Sequence, residues 1–547
     1  MIGSEVVAHA LHRQGADTFF YIMGAPMMAV ESTAMRLGLR GIDVRHEQAA
    51  AMAAHAYARL RNRPGFCMAA SGPGTTNLIT GIAHAWADCT PVVALGGSSP
   101  ASGTHRGTFQ EVDQLKMIAP CTKWADRAYD AYRIPELVNY AVQQSMSGRP
   151  GPVYLDLPGD VLYAEVDEAK LEWPAPWDPA KRHRPMANST DIKAIVDLLA
   201  ASQQPVIISG SGILWSAAEA ELQAFVEASG IPFYTTPQGR GVIPEDHAYC
   251  YLTSRSAAFR DADLILIIGT RMNYVIGHVA PPRFNAAAKI VRIDVDPEEI
   301  AMSPRRLDVG VVADAKLALG QLTAALKGRI TPDTFRSWRD RLRGRNSSKL
   351  QEQEETLSNS ATPIHPLRLC KEIRDFMDRD AILCVDGQEI LNYGRQAIPT
   401  YVARHRLNSG AFGTMGVGMP FGIGAKVACP DKQVIVLHGD GSFGMNAMEF
   451  DTAVRHKLPI LTVISLNGGW TGDPEKERPG RDLGYTRFDQ MAQALGGHGE
   501  LVEKPDAIRP ALDRAMAAVL RGQPALVNVV TDWRARATTA DFTRYVT

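Results

Sequence analysis

Residues 436–471, VLHGDGSFGMNAMEFDTAVRHKLPILTVISLNGGWT, constrain the fold more than any other stretch of the chain. A β-branched apolar run, Gln433–Leu437, ends in Gly439-Asp440-Gly441-Ser442. An amphipathic helical stretch follows, and a second apolar run, Ile460–Leu466, ends in Asn467-Gly468-Gly469. Such a crossover forms a right-handed βαβ unit, with both polar loops at the carboxyl ends of adjacent parallel strands. Asp440 and Asn467 are 27 residues apart in sequence, and this topology brings them together. A carboxylate with amide and carbonyl oxygens, here including Gly469, is a hard-oxygen set suited to Mg²⁺ bound together with phosphates. Gly441 and Ser442 belong to the loop whose backbone N–H groups approach those phosphates.

At 547 residues the chain should form about three domains. Apolar runs alternate with helical patterns along three blocks, which implies an α/β protein of three doubly wound parallel-sheet domains. Their expected bounds are residues 1–170, 187–330 and 363–533, followed by a tail, 534–547, that would act as a lid. The apolar runs include Thr18–Ile22, Gly65–Ala70, Val92–Leu95 and Val153–Leu157 in the first block and Pro205–Ile208, Leu264–Ile268 and Lys289–Ile293 in the second. The third has Ile382–Val385 and Ala525–Val529 beside the two named above. Blocks one and three look like one scaffold used twice. A Pro- and Trp-rich linker precedes residue 187, and a polar, charged stretch at 330–362 reads as a solvated helix and second connector.

With 45% hydrophobic and 21% charged residues and a net charge of −1, the composition is that of an ordinary globular protein. It gives no electrostatic reason to expect nucleic acid or a membrane surface as partner. No apolar run reaches the roughly 18 residues a membrane span needs. Seven scattered cysteines argue against a disulfide framework, and a cytoplasmic location is expected.

Further motifs fall at strand ends. Glu47, in Arg45-His46-Glu47-Gln48, precedes an Ala-rich helix that an acidic first turn favours. Ser71-Gly72-Pro73-Gly74-Thr75-Thr76-Asn77 follows a strand, as does Asp386-Gly387-Gln388-Glu389. Ser209-Gly210-Ser211-Gly212 is a weak dinucleotide signal, and Asp294 ends a strand where it can take a ribose hydroxyl.

Together these motifs resemble the thiamine diphosphate (ThDP)-dependent enzyme superfamily, acetolactate synthase-like, over nearly the whole chain. The family signature usually ends in Asn-Asn, where this chain has Asn467-Gly468. The resemblance implies that Glu47 hydrogen-bonds the cofactor's pyrimidine nitrogen and promotes loss of the C2 proton. Pro73 and Asn77 would lie against the pyrimidine, and Gln110, in Phe109-Gln110-Glu111, would orient the substrate. Glu111 and Asp113 read as structural. Gln388 and Glu389 would contact the diphosphate, the Gly413 carbonyl would accept the aminopyrimidine N–H, and Met415 would prop the cofactor in its bent shape. Within the family, GGSSP at 96–100, TRMNY at 270–274 and PPRFN at 281–285 resemble 2-hydroxyacyl-CoA lyase and oxalyl-CoA decarboxylase. There the central domain can hold ADP, which implies contacts from Arg149, Gly210, Arg271 and Asp294.

Arg395, Arg404 and Arg406 lie in register with a cluster that contacts coenzyme A phosphates, for which the planar arginine fork is suited. The decarboxylase typically has Tyr-Glu where this chain has Phe109-Gln110, which favours the lyase. The expected reaction is C1–C2 cleavage of a 2-hydroxyacyl-CoA to formyl-CoA and an aldehyde or ketone. Glu477 or Glu475 would take the 2-hydroxyl proton. Oxalyl-CoA decarboxylation and acetolactate synthase-type carboligation are the alternatives. The family pattern also implies a homodimer or homotetramer with the active site between subunits.

Overall fold

The computed structural model describes residues 1–470, 477 and 479–537. Three parallel sheets organise it. The first contains β1 (Thr18–Tyr21), β2 (Arg40–Asp43), β3 (Gly65–Ala69), β4 (Val92–Ser98), β5 (Trp124–Arg127) and β6 (Val153–Pro158), in the order β2-β1-β3-β4-β6-β5. The second contains β7 (Pro205–Ser209), β8 (Phe233–Thr235), β9 (Leu264–Ile268), β10 (Lys289–Asp294) and β11 (Val309–Val312), ordered β11-β10-β9-β7-β8. The third contains β12 (Ile382–Asp386), β13 (Arg406–Asn408), β14 (Val434–Gly439), β15 (Leu461–Leu466), β16 (His498–Val502) and β17 (Ala525–Val530), ordered β13-β12-β14-β15-β17-β16. The first and third sheets have the same strand order, so one scaffold is used twice. Helices cover both faces, which is why β3, β9 and β15 are buried at every position and read as continuous apolar runs.

The first and third units share one hydrophobic core, in which Phe20 and Leu78 join Val436 and Ile464. Its seam is the helix Glu47–Arg61 lying on the helix Gly418–Ala428. The approach is too close for side chains: a Cβ on Gly424 would lie 2.2 Å from the Ala53 carbonyl oxygen. The central unit has a core of its own. The stretch expected to be a solvated connector forms a helix, Arg336–Leu357, but its first half is docked rather than solvated. Trp338 and Leu342 are buried there, and Trp338 Nε1 donates to the Pro205 carbonyl at 3.1 Å. All seven cysteines are free. Among the described residues no helix is long and apolar enough to cross a membrane.

One buried acid has no counterpart in this packing. Glu31, on the helix Met28–Arg36, is 2% exposed, its Oε1 has no hydrogen-bond partner, and burial pushes its carboxyl up to about 8. Between the ordinary carboxyl range and about pH 8 the unfolded chain ionises while the folded chain keeps its proton, so stability falls as pH rises through that window. Glu31→Gln should therefore gain thermal stability over wild type progressively as pH rises, with the gain levelling above about pH 8. A melting-temperature difference that does not change with pH contradicts this placement.

Candidate active site

The parallel register pairs Gly439 of β14 with Ser465 of β15, and so sets Asp440 beside the Asn467–Gly469 turn. Asp440 is 4% exposed and accepts backbone N–H groups from Gly441 at 2.8 Å and Gly468 at 2.7 Å. Burial still pushes its carboxyl up to about 6. The Asn467 amide has two possible orientations, and side-chain O and N are told apart only by their partners. In one, its N–H donates to both Asp440 oxygens, at 3.1 and 3.3 Å, and to the Gly469 carbonyl at 2.9 Å. In the other its oxygen faces the same three oxygens, and a cation is what satisfies such a set. These residues fit Mg²⁺. Gly468 has φ +85, a conformation glycine adopts freely and asparagine tolerates. The Asn-Gly departure from Asn-Asn therefore leaves the turn intact.

A cleft of about 580 Å³ opens beside this set. Gln388, Glu389, Met415, Ser442 and Trp470 line it. Ser442 Oγ donates to the Gly439 carbonyl at 3.0 Å. Glu389 accepts the Ala537 N–H at 2.8 Å, and Ala535 lines the cleft, so the start of the tail runs across its mouth. Residues 538–547 lie outside the described residues. Gly413 is exposed, with φ +70 and its N–H donating to the Ser409 carbonyl at 3.0 Å.

On the first unit, Glu47 opens its helix and accepts from Asn77 Nδ2 at 2.9 Å. Ser71 Oγ donates to Gln110 Oε1 at 2.6 Å, on a backbone of φ +59 at Gln110. Pro73 starts the helix that carries Asn77. Glu111 accepts the Thr108 N–H and Asp113 caps a short helix, the structural roles expected of them.

Four residues to which the motifs assign no role hold these groups. Gln114, 1% exposed, accepts the Gly72 N–H and donates to the Gly97 carbonyl and Asp156. Glu449 Oε1 accepts the Arg45 and His46 N–H groups at 3.0 and 3.1 Å, fixing the backbone before Glu47. Asn446 accepts from Gln48 at 2.9 Å and donates to the Gly416 carbonyl at 2.7 Å, linking the Glu47 helix to the loop of Gly413 and Met415. Trp470 packs on Gly441. Glu477 is exposed; Glu475 lies outside the described residues.

A second cleft, of about 980 Å³, separates the first and central units and is lined by Arg149, Arg271 and Asp294. Arg149 lies over the Trp86 ring and pairs with Asp296 at 3.0 Å and Glu299 at 3.2 Å. Burial raises Asp294 to about 6. Gly210 does not line this cleft: its N–H donates to the Ile268 carbonyl, and a Cβ there would lie 2.5 Å from Thr270. Ser211 and Gly212 line it instead.

The three arginines do not form one surface. Arg395 lines a cavity of about 710 Å³ with Arg240, Arg255 and Glu245. Arg404 instead pairs with Glu219 and donates to the Leu214 carbonyl. Arg406 is 2% exposed on β13, with its Nη1 donating to the Ile398 carbonyl at 3.4 Å.

The Trp470 contact is open to test. A Cβ on Gly441 would lie 2.6 Å from the Trp470 ring, and overpacking costs about 1–3 kcal/mol. Gly441→Ala should weaken Mg²⁺–diphosphate binding roughly 5- to 150-fold, read by tryptophan fluorescence, with circular dichroism unchanged. Wild-type affinity in the variant would exclude this cleft as the diphosphate site.

Comparison with known proteins agrees with this geometry. Residues 1–117 match the family "Thiamine pyrophosphate enzyme, N-terminal TPP binding domain", 192–322 its central domain and 391–529 its C-terminal TPP binding domain. The chain is 33% identical to a 2-hydroxyacyl-CoA lyase of Arabidopsis thaliana, covering 97% of this chain and 95% of the relative. It is 34% identical to an acetolactate synthase large subunit of Mycobacterium tuberculosis (97% and 96%) and 32% identical to an oxalyl-CoA decarboxylase of Escherichia coli (97% and 95%). The chain belongs to the thiamine pyrophosphate enzyme family.

Proposed function

We propose that the protein is a ThDP- and Mg²⁺-dependent 2-hydroxyacyl-CoA lyase that forms formyl-CoA and an aldehyde or ketone. The observation that carries this reading is the cavity at Arg395. Three guanidinium groups there face one carboxylate, Glu245, which is itself taken up by Arg240 at 2.7 Å. Burial, with Arg240 and Arg255 nearby, lowers Arg395 to about 10, as expected of a cation awaiting an anion. A coenzyme A phosphate supplies that charge. Gln110 favours the lyase over the decarboxylase, because an amide orients a neutral hydroxyacyl thioester without repelling or protonating it.

ThDP, when bound, supplies the electron sink that C1–C2 cleavage requires. Asp440, Asn467 and Gly469 would hold its Mg²⁺, and Gln388, Glu389, Gly441 and Ser442 its diphosphate. Glu47, oriented by Asn77, would hold the proton at the pyrimidine nitrogen, with the Gly413 carbonyl and Met415 against the ring. Gln110 would orient the thioester, and Glu477 would accept the 2-hydroxyl proton as the bond breaks. C1 gains one proton, so the products balance the substrate. The tail would close over the acyl chain and exclude water. The same reading puts an adenine nucleotide such as ADP between Arg149, Arg271 and Asp294. A second copy of the chain would cover Met23, Phe109, Phe412 and Met445, all more than half exposed around the site loops, giving a homodimer or larger homo-oligomer. The cytoplasm is the compartment that suits such an enzyme.

The test is mass spectrometry of products from a panel of 2-hydroxyacyl-CoAs and oxalyl-CoA with ThDP and Mg²⁺. Formyl-CoA plus a carbonyl compound is expected from the hydroxyacyl substrates; CO₂ from oxalyl-CoA alone, or acetolactate from pyruvate with bound FAD, would replace the proposal. Glu47→Gln should lower kcat about 10²- to 10⁴-fold, the scale of general acid–base catalysis, at unchanged melting temperature. Full turnover in that variant is incompatible with the role given to Glu47.

A further inference from the structure

Beside the central cleft, His55, His84 and Asp88 form a buried cluster at the meeting point of the three units. His55 lies on the helix Glu47–Arg61 and His84 on Pro73–Ala87, which Asp88 terminates. Their side chains are 1%, 0% and 1% exposed. One potential ligand atom from each lies within 4.8 Å of the other two. Asp88 Oδ2 is 3.2 Å from His84 Nε2 and 3.9 Å from His55 Nε2.

The histidines are short of partners. His84 Nε2 faces the Asp88 carboxylate at 3.2 Å, and Nδ1 of both histidines has no hydrogen-bond partner. His55 Nε2 meets Thr90 Oγ1 at 3.0 Å. A buried polar group left unbonded costs about 1–3 kcal/mol, so such atoms in a native core call for an occupant. Phe421 closes one side of the cluster, 5.0 Å from the His55 ring and 5.6 Å from that of His84. The other side has an entry path, because Asp88 lines the central cleft.

Two imidazoles and a carboxylate suit a borderline divalent ion of the zinc class. Tetrahedral zinc with bonds of about 2.0 Å needs ligand atoms about 3.3 Å apart. The Asp88–His84 separation of 3.2 Å already matches, and the Asp88–His55 separation of 3.9 Å is slightly longer.

We propose that His55 Nε2, His84 Nε2 and Asp88 Oδ2 form a structural site for a zinc-class divalent cation, with the fourth position taken by water from the central cleft. The same carboxylate reaches both other units. Asp88 Oδ2 accepts from Gln238 of the central unit at 2.6 Å, and Oδ1 accepts the Ala411 N–H at 3.2 Å. Ala411 precedes Gly413 and Met415 on the loop that borders the ThDP cleft. A metal on Asp88 therefore clamps the two first-unit helices to a junction shared by all three units. Arg59, buried nearby, opposes the added charge and weakens the site, so saturation with metal is the appropriate test rather than co-purification.

The experiment uses full-length protein stripped with chelator, dialysed against excess Zn²⁺ with Mg²⁺ present throughout, and then freed of unbound metal. Wild type should hold about one zinc per chain more than the His55→Asn/His84→Asn double variant, and zinc should raise the melting temperature of wild type only. Co²⁺ in place of zinc should give wild type the intense visible absorption of a four-coordinate ion, a readout that needs no variant to fold. Equal zinc in wild type and variant, no zinc-dependent melting shift, or a weak six-coordinate Co²⁺ spectrum overturns the site. None of these readouts uses ThDP or substrate, so the result stands apart from the proposed lyase activity.

Discussion

A helix crossing with no side chains between the two backbones fixes the relation of the first and third units. Residues Ala49–Ala58 of the helix Glu47–Arg61 are all buried, and Gly424 of the opposing helix lies against the Ala53 carbonyl. A carbonyl cannot swing aside as a side-chain end can, so one crossing geometry is accessible. Gly81 makes a similar approach on another side of the same helix, where a Cβ would lie 2.6 Å from that of Ala51. With the helix body fixed, its first residue is fixed too. Glu449 and Asn446, both buried, then hold that end to the third unit by hydrogen bonds. The position of Glu47 is therefore set by packing around it rather than by its own contacts, of which the Asn77 bond is the main one.

Two cavities on this scaffold carry unbalanced charge of opposite sign. Around Asp440, carboxylate, amide and carbonyl oxygens converge, and burial pushes the carboxyl up to about 6. Around Arg395, guanidinium groups outnumber carboxylates, and the cation is held down to about 10. Buried charge without a partner is costly, and its persistence at two places points to ligands that bring the missing sign. In the proposed reading a divalent metal with a diphosphate would meet the first need and a phosphorylated coenzyme handle the second. Nearly equal identity to a lyase, a synthase and a decarboxylase leaves the choice of reaction to a few side chains on this common frame. In the proposed reading Gln110, whose Oε1 is held by Ser71, is one of them.

The strands legible in the sequence are the internal ones. Apolar runs mark β3, β9, β14 and β15 because helices cover both faces and leave no polar side. The strands that no apolar run marks, β2, β5, β8, β11, β13 and β16, are the six sheet edges. There one side meets solvent or loop, and sequences such as Arg40-Gly-Ile-Asp43 or Trp124-Ala-Asp-Arg127 carry no periodic signal. The same limit applies to the arginines. Arg395, Arg404 and Arg406 read as one cluster, but β13 turns Arg406 inward while a residue with φ +72 at 404 swings that side chain to Glu219.

The amino-acid sequence by itself determined the three-block α/β order, the duplicated scaffold, and the meeting of the two polar loops, because each depends on contacts local to one βαβ unit. The 27-residue spacing of Asp440 and Asn467 is enough once two parallel strands are neighbours. Only the tertiary structure decided which residues support that loop from far along the chain. Glu449 and Asn446 are separated from Glu47 by some 400 residues, and Gln114 holds Gly72 from across the first sheet. Their roles come from where burial leaves a backbone N–H or carbonyl in need of a partner, and that need exists only after the units have packed.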